Sequence, residues 1–261
     1  INLNNEEDSR KEIAFEEYKN FLETMPLLKS MHDMHPNHIH EEIELQAMDF
    51  STYLPEWLAY VPEWRDYYLT HDQTNHYEYL KDVLKAMQFI KGPKKWVLKS
   101  PQHLEQILPL LNTFPDATFA ITYRDPLSVV LSTATMLSYG DRVRRYQVDP
   151  KNNFNYWHNR IKTLLERFTA DYKLIPLDQK SDVFFHDLIK DNIKSVKSIY
   201  SKNSLKFSAL ANGEIEEYMK LNKRGKHGQV IYNLEDFNVD KSEFYESFKF
   251  YFDAFNVLKE I

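Results

Sequence analysis

Arg124 closes a run of apolar and β-branched residues, and Ser132 follows eight positions later, within "TYRDPLSVVLS". A guanidinium holds phosphate as a two-pronged fork, and a hydroxyl adds one more donor. The pair therefore has the chemistry to grip one phosphate. The same residues would also suit an arginine bonded to a carboxylate and a serine packed against a sheet. Lys99 repeats the arrangement in "KWVLKSP", a cation ending a short apolar run just before a proline. In open parallel sheets, ligands sit beyond the carboxyl ends of the strands, where helix N-termini favour anions. Two such cations in succession favour the anion-binding reading.

Other clusters invite weaker chemistry. His32, His35, His38 and His40 fall within nine residues beside Glu41 and Glu42. Their spacing matches no closed ligand set, and Pro36 breaks any helix that would align them, so no metal is assigned. They are expected to line a loop. Tyr53, Trp57, Tyr60, Trp64, Tyr67 and Tyr68 could stack on a ligand, but at helical spacing they read first as core. Arg142, Arg144 and Arg145, and again Lys220, Lys223, Arg224 and Lys226, form either solvated faces or walls of an anion pocket.

The elements that position these groups follow from periodicity. Phe15, Tyr18, Phe21, Leu22 and Met25 predict one helix, and Tyr77, Leu80, Val83, Leu84 and Met87 predict another, stopped by Gly92-Pro93. "KWVLKS", "TFAITY" and "DVFFH" read as short strands. Between them lie helical patterns at Leu104 to Leu111, after Pro126, and around Trp157 to Phe168. Strand-helix alternation predicts a parallel sheet with crossover helices. The reading divides the 261 residues into a mostly helical region, 1–92, and a parallel-sheet region, 93–261, of a single domain.

A formal net charge of −6 argues against nucleic acid as the main partner. With no cysteine there is no thiol nucleophile and no disulfide. No apolar run is long enough to span a bilayer, and no signal peptide is legible, so a cytoplasmic protein is expected. The sequence starts at Ile1 rather than Met, which hints at an upstream segment.

"WVLKSPQHLEQILPLLNTFPDATFAITYRDPLSVVLS" resembles the central signature of the sulfotransferases, above all their large bacterial branch. "DSRKEIAFEEYKNFLETMPLLKSMHDMHPNHIHEEIELQAMDFSTYL" resembles the acceptor-side helical region of that branch. "VFFHDLIKD" and "RGKHGQVIYNLEDFNVD" resemble its late strand and C-terminal cofactor loop. The resemblance implies a helix-rich α/β fold, a three-layer P-loop-type parallel sheet flanked by helices. It implies transfer of a sulfuryl group from 3′-phosphoadenosine 5′-phosphosulfate (PAPS) to a hydroxyl or amine. The acceptor would be a small molecule, glycan or lipid. Arg124 and Ser132 would bind the 3′-phosphate, with Arg224, Gly225 and Lys226 closing over it and Lys99 near the sulfuryl group. For the base that deprotonates the acceptor, Glu42 comes first by analogy with relatives that sulfate protein tyrosines, and Glu41 next. His103 is the runner-up, because another branch places a histidine just after the equivalent lysine.

One family element is missing. None of the five glycines follows a strand in the Gly-Thr/Ser pattern that would hold the 5′-phosphosulfate. The expectation is a fragment without its N-terminal strand, loop and helix, inactive by itself. Two other readings stand beside it. A kinase-like transferase would need an acidic magnesium ligand, for which Asp125 is the candidate. A non-catalytic helical interaction module would bind no bisphosphate.

Overall fold

The computed structural model describes residues 9–223, 225–228 and 230–261. Its first part is helical: α1 (Ser9–Thr24), α2 (Leu28–Met31), α3 (Ile43–Ala47), α4 (Leu54–Leu58), α5 (Pro62–Thr70) and α6 (Thr74–Lys91). A 3-10 turn (Pro101–Glu105) and α7 (Ile107–Thr113) lead into β1 (Phe119–Tyr123). The helices α8 (Pro126–Asp141) and α9 (Pro150–Asp171) carry the chain over to β2 (Lys180–Phe184). Then come α10 (Phe185–Lys190), α11 (Asn192–Lys202), α12 (Ala209–Leu221), α13 (Lys241–Ser247) and α14 (Lys249–Ala254).

β1 and β2 pair in parallel, from Phe119 opposite Lys180 to Tyr123 opposite Phe184. The crossover that parallel strands require is the α8–α9 pair. Local chemistry starts both helices in the same way. Pro126 and Pro150 fill the first helical position, where a missing N–H costs nothing. Asp125 and Asp149 cap the free N–H groups, Asp125 accepting from Leu127 at 3.0 Å and Asp149 from Lys151 at 3.0 Å.

The main core lies between β1, α8, α9 and the last two helices. Ile121, Leu127, Leu131, Phe154, Phe168, Phe244 and Phe248 are buried together there. The predicted face of α6 packs Tyr77, Leu80 and Leu84 against Leu110 of α7. A third cluster joins Ile43, Tyr53 and Tyr68. Helix α1 behaves differently from its pattern. None of its residues is fully buried, and Phe15 and Tyr18 pack edge-on against the His35 ring.

The expected three-strand pattern needs correction. Among the described residues the sheet has two strands, and "KWVLKS" is not one of them. Its backbone meets a side chain instead of a ladder: the Lys99 N–H donates to Glu42 Oε2 at 2.7 Å, and just before the run Gln88 Nε2 donates to the Lys94 carbonyl at 3.0 Å. Val97, which a sheet would cover, is 94% exposed. An apolar run becomes a strand only where a neighbouring strand meets its backbone groups.

Candidate active site

Glu41, Glu42, Lys99 and His103 converge. Glu42 stands at the start of α3 and is only 5% exposed. One carboxylate oxygen accepts the Lys99 N–H, and the other meets His103 Nε2 in a short hydrogen bond. The Glu41 carboxylate pairs with the Lys99 ammonium on the open side of the same turn. His103 is fixed from behind by the buried Tyr77 hydroxyl, 2.8 Å from its Nδ1. Burial pushes the Glu42 carboxyl up. The His103 bond and charge, with the N–H groups of Glu42 and Lys99, outweigh that and hold it below the usual carboxylate range. Glu42 is therefore ionised at neutral pH. Both ring nitrogens of His103 and both carboxylate oxygens of Glu42 are engaged in this arrangement.

The turn that carries His103 is anchored deep in the molecule. Arg160 of α9 is 3% exposed and binds two buried carboxylates. Its Nη1 donates to Glu105 Oε2 at 2.8 Å, and its Nε lies 3.1 Å from Glu56 Oε2. The Tyr156 hydroxyl donates to Glu56 at 2.8 Å. Gln102, next to His103, accepts from Thr52 at 3.0 Å and donates to Gln46. A polar network of this kind fixes geometry because every buried member has to stay bonded.

Arg124 leaves the end of β1 with its guanidinium 4.1 Å above the Phe185 ring. It holds the Glu260 carboxylate side-on, with Nε to Oε1 at 2.9 Å and Nη2 to Oε2 at 2.9 Å. A cavity of about 260 Å³ opens beside it, walled by Phe185, His186, Ile189, Val257 and Leu258. Ser132 is bonded to the Tyr232 hydroxyl at 3.1 Å. The two residues thus have separate partners in this state. Arg224 lies outside the described residues. Gly225 takes φ +78°, a left-handed conformation that suits glycine. Lys226 reaches back to Asn222 at 3.5 Å. A side chain at Gly228 would meet Ser30 of α2, so the backbone here runs close to that helix.

Asp125 cannot readily serve as a magnesium ligand. It is fully buried, and its oxygens take the Leu127 N–H, the Tyr245 hydroxyl and the Glu260 N–H. Among the described residues no three His, Cys, Asp or Glu side chains converge on a metal position. His32 lies near Lys99. Burial first, then the neighbouring positive charges of Lys99, His40 and His38, hold its pKa below the usual histidine value. The aromatic group is divided between core and surface, with Tyr60 and Tyr67 exposed. Tyr53 and Tyr68 are buried, and the gap around Trp57, Tyr60, Tyr156 and Trp157 is about 20 Å³, room for about one water. No helix among the described residues is long and apolar enough to cross a membrane.

The model of the Sulfotransferase family matches residues 3–209. The chain belongs to this family. Among solved structures it is similar to sulfotransferase STF9 from Mycobacterium avium, with a TM-score of 0.81 and 18% identity over 97% of this chain. It is also similar to sulfotransferase STF1 from Mycobacterium tuberculosis H37Rv, with a TM-score of 0.71 and 22% identity over 91% of this chain. At such identities the likeness shows the fold, a helix-rich α/β architecture. The chain spans 66% and 64% of those two chains, less than two thirds of each. No curated protein matches it significantly in sequence.

Sequence reasoning missed Tyr77, Glu56, Glu105, Arg160 and Glu260. Arg160 carried a legible signal: it sits on the apolar face of α9 between Trp157 and Leu164, where a charge needs a buried partner. Glu260 carried none.

Proposed function

We propose that this chain forms the 3′-phosphate and acceptor portions of a PAPS-dependent sulfotransferase. The observation that carries the reading is the meeting of Glu41, Glu42, Lys99 and His103, which come from segments 57 and 61 positions apart. The site of Arg124 fits an anion. Its fork already grips a carboxylate edge-on, an open cavity adjoins it, and the Phe185 ring lies against the guanidinium. On this reading Arg124 and Ser132 hold the 3′-phosphate, and Arg224, Gly225 and Lys226 close over it.

PAPS supplies the sulfuryl group when bound. The chain's own residues prepare the acceptor, a hydroxyl or amine on a small molecule, glycan or lipid. Glu42, held ionised, takes the acceptor proton, and His103 orients it. Glu41 keeps the Lys99 ammonium beside the same point, where it can steady developing negative charge. These residues include no glycine-rich loop for the phosphosulfate. The chain is therefore proposed to bind adenosine 3′,5′-bisphosphate without turning over PAPS. A cytoplasmic location agrees with this chemistry.

Calorimetric titration with adenosine 3′,5′-bisphosphate in the absence of magnesium tests the reading. Uptake by the chain is expected, with loss in Arg124→Ala and little change in Glu42→Gln. Equal binding by Arg124→Ala would refute the phosphate assignment. Steady release of bisphosphate from PAPS would refute the claim of binding without turnover.

A further inference from the structure

The last residues of the chain fold back onto Arg124, and the contact is built rather than incidental. The Glu260 carboxylate takes three hydrogen bonds from the guanidinium, at 2.9, 3.2 and 2.9 Å. Its own N–H donates to Asp125 Oδ2 at 2.8 Å. The Tyr245 hydroxyl lies 2.9 Å from Asp125 Oδ2 and 3.0 Å from the Ile261 carbonyl. The Lys259 ammonium sits over the Tyr245 ring, 4.1 Å from its centroid. Asp125 is fully buried and caps α8, so the tail is tied to the helix start next to Arg124. Val257 and Leu258 of the same tail wall the adjoining cavity.

We infer that Glu260 is an internal competitor, a tethered carboxylate occupying the Nε–Nη2 edge of Arg124 on which a phosphate group would sit. The inference rests on the reading of Arg124 as a phosphate ligand. A guanidinium edge accepts one bidentate anion at a time, so ligand and tail exclude each other there. The tether makes the carboxylate effectively concentrated, and the observed affinity is lowered by the fraction of molecules in which the tail is off. A phosphate monoester carries close to two negative charges and three acceptor oxygens, so it can displace a carboxylate that carries one charge. By reciprocity, a bound phosphate loosens the tail by the same factor that the tail weakens the ligand. The device is thus an autoinhibitory latch whose release reports occupancy of the site.

The test compares Kd for adenosine 3′,5′-bisphosphate in wild type, Glu260→Gln and Glu260→Ala, with thermal unfolding as a check that each folds. Glu260→Gln keeps the size, removes the charge and leaves one acceptor oxygen where the carboxylate offered two. Both variants are expected to bind about tenfold or more tightly, the scale of a charged hydrogen bond. Unchanged or weaker binding in either folded variant, with wild type still binding, overturns the latch alone. Failure of all three to bind, or equal binding after Arg124→Ala, overturns the phosphate reading and the latch with it.

Discussion

Arg160→Met removes the one cation between two buried carboxylates, and its consequence can be worked through. Glu56 is 4% exposed and Glu105 5%, so neither can turn to water when the guanidinium is gone. Breaking a buried ion pair from one side costs about 3–5 kcal/mol, because a charge is left uncompensated. A whole domain holds about 5–15 kcal/mol, so the variant should be marginal at neutral pH. With a urea slope of about 2–3 kcal/mol/M, the midpoint should fall by about 1–2 M. Tryptophan fluorescence suits the assay, since Trp57 and Trp157 pack with ring centroids 4.4 Å apart near this network. The pH dependence has a definite sign. Burial already pushes the Glu56 carboxyl up despite Arg160, and losing that charge pushes it higher. A carboxyl raised on folding takes up a proton as pH falls, so the deficit relative to wild type should shrink from pH 7.5 to 5.5. Adding Glu56→Gln and Glu105→Gln should recover much of the loss. A deficit under about 1 kcal/mol at pH 7.5, or one that grows in acid, would refute the reasoning.

Two further outcomes are expected. His158 is bonded to Ser247 at 2.9 Å and packed on Phe244 and Phe248; burial first, then Lys162, holds its pKa below the usual 6.5. Its stabilising contribution is full above that value and is lost as pH falls through the lower folded value, so His158→Gln should flatten the melting-temperature profile in that window. Tyr77→Phe should cost about 0.5–1.5 kcal/mol by removing a buried hydroxyl partner. It should also change the His103 ring nitrogen signals in heteronuclear NMR, and unchanged signals would show that the Tyr77 contact does not orient the imidazole.

Much of the architecture was legible because it rests on short-range rules. Asp125-Pro126 opens α8 by a local rule, since proline needs no N–H at the first helical position and the aspartate caps the Leu127 N–H. The apolar periods of α6 and α9 marked the faces that are buried. The run 119–123 was recognisable as a strand and Arg124 as a cation at its end, while the run read at 182–186 is strand only to Phe184, β2 starting earlier at Lys180 and Phe185 opening α10. The resemblance in residues 96–132 placed the chain in its family, and residues 41, 42, 99 and 103 were already candidates.

Contacts between distant positions were settled by tertiary structure alone. "KWVLKS" has a strand's composition, yet β pairing depends on a neighbour that no local pattern encodes, and here the Glu42 side chain takes the Lys99 N–H. Which ring nitrogen of His103 meets Glu42, and that Tyr77 stands behind it, required packed helices. Glu260 meets Arg124 across 136 positions. Periodicity says which face of an element is apolar, but the partner of a charge is chosen by where the fold excludes water and brings an opposite charge within reach.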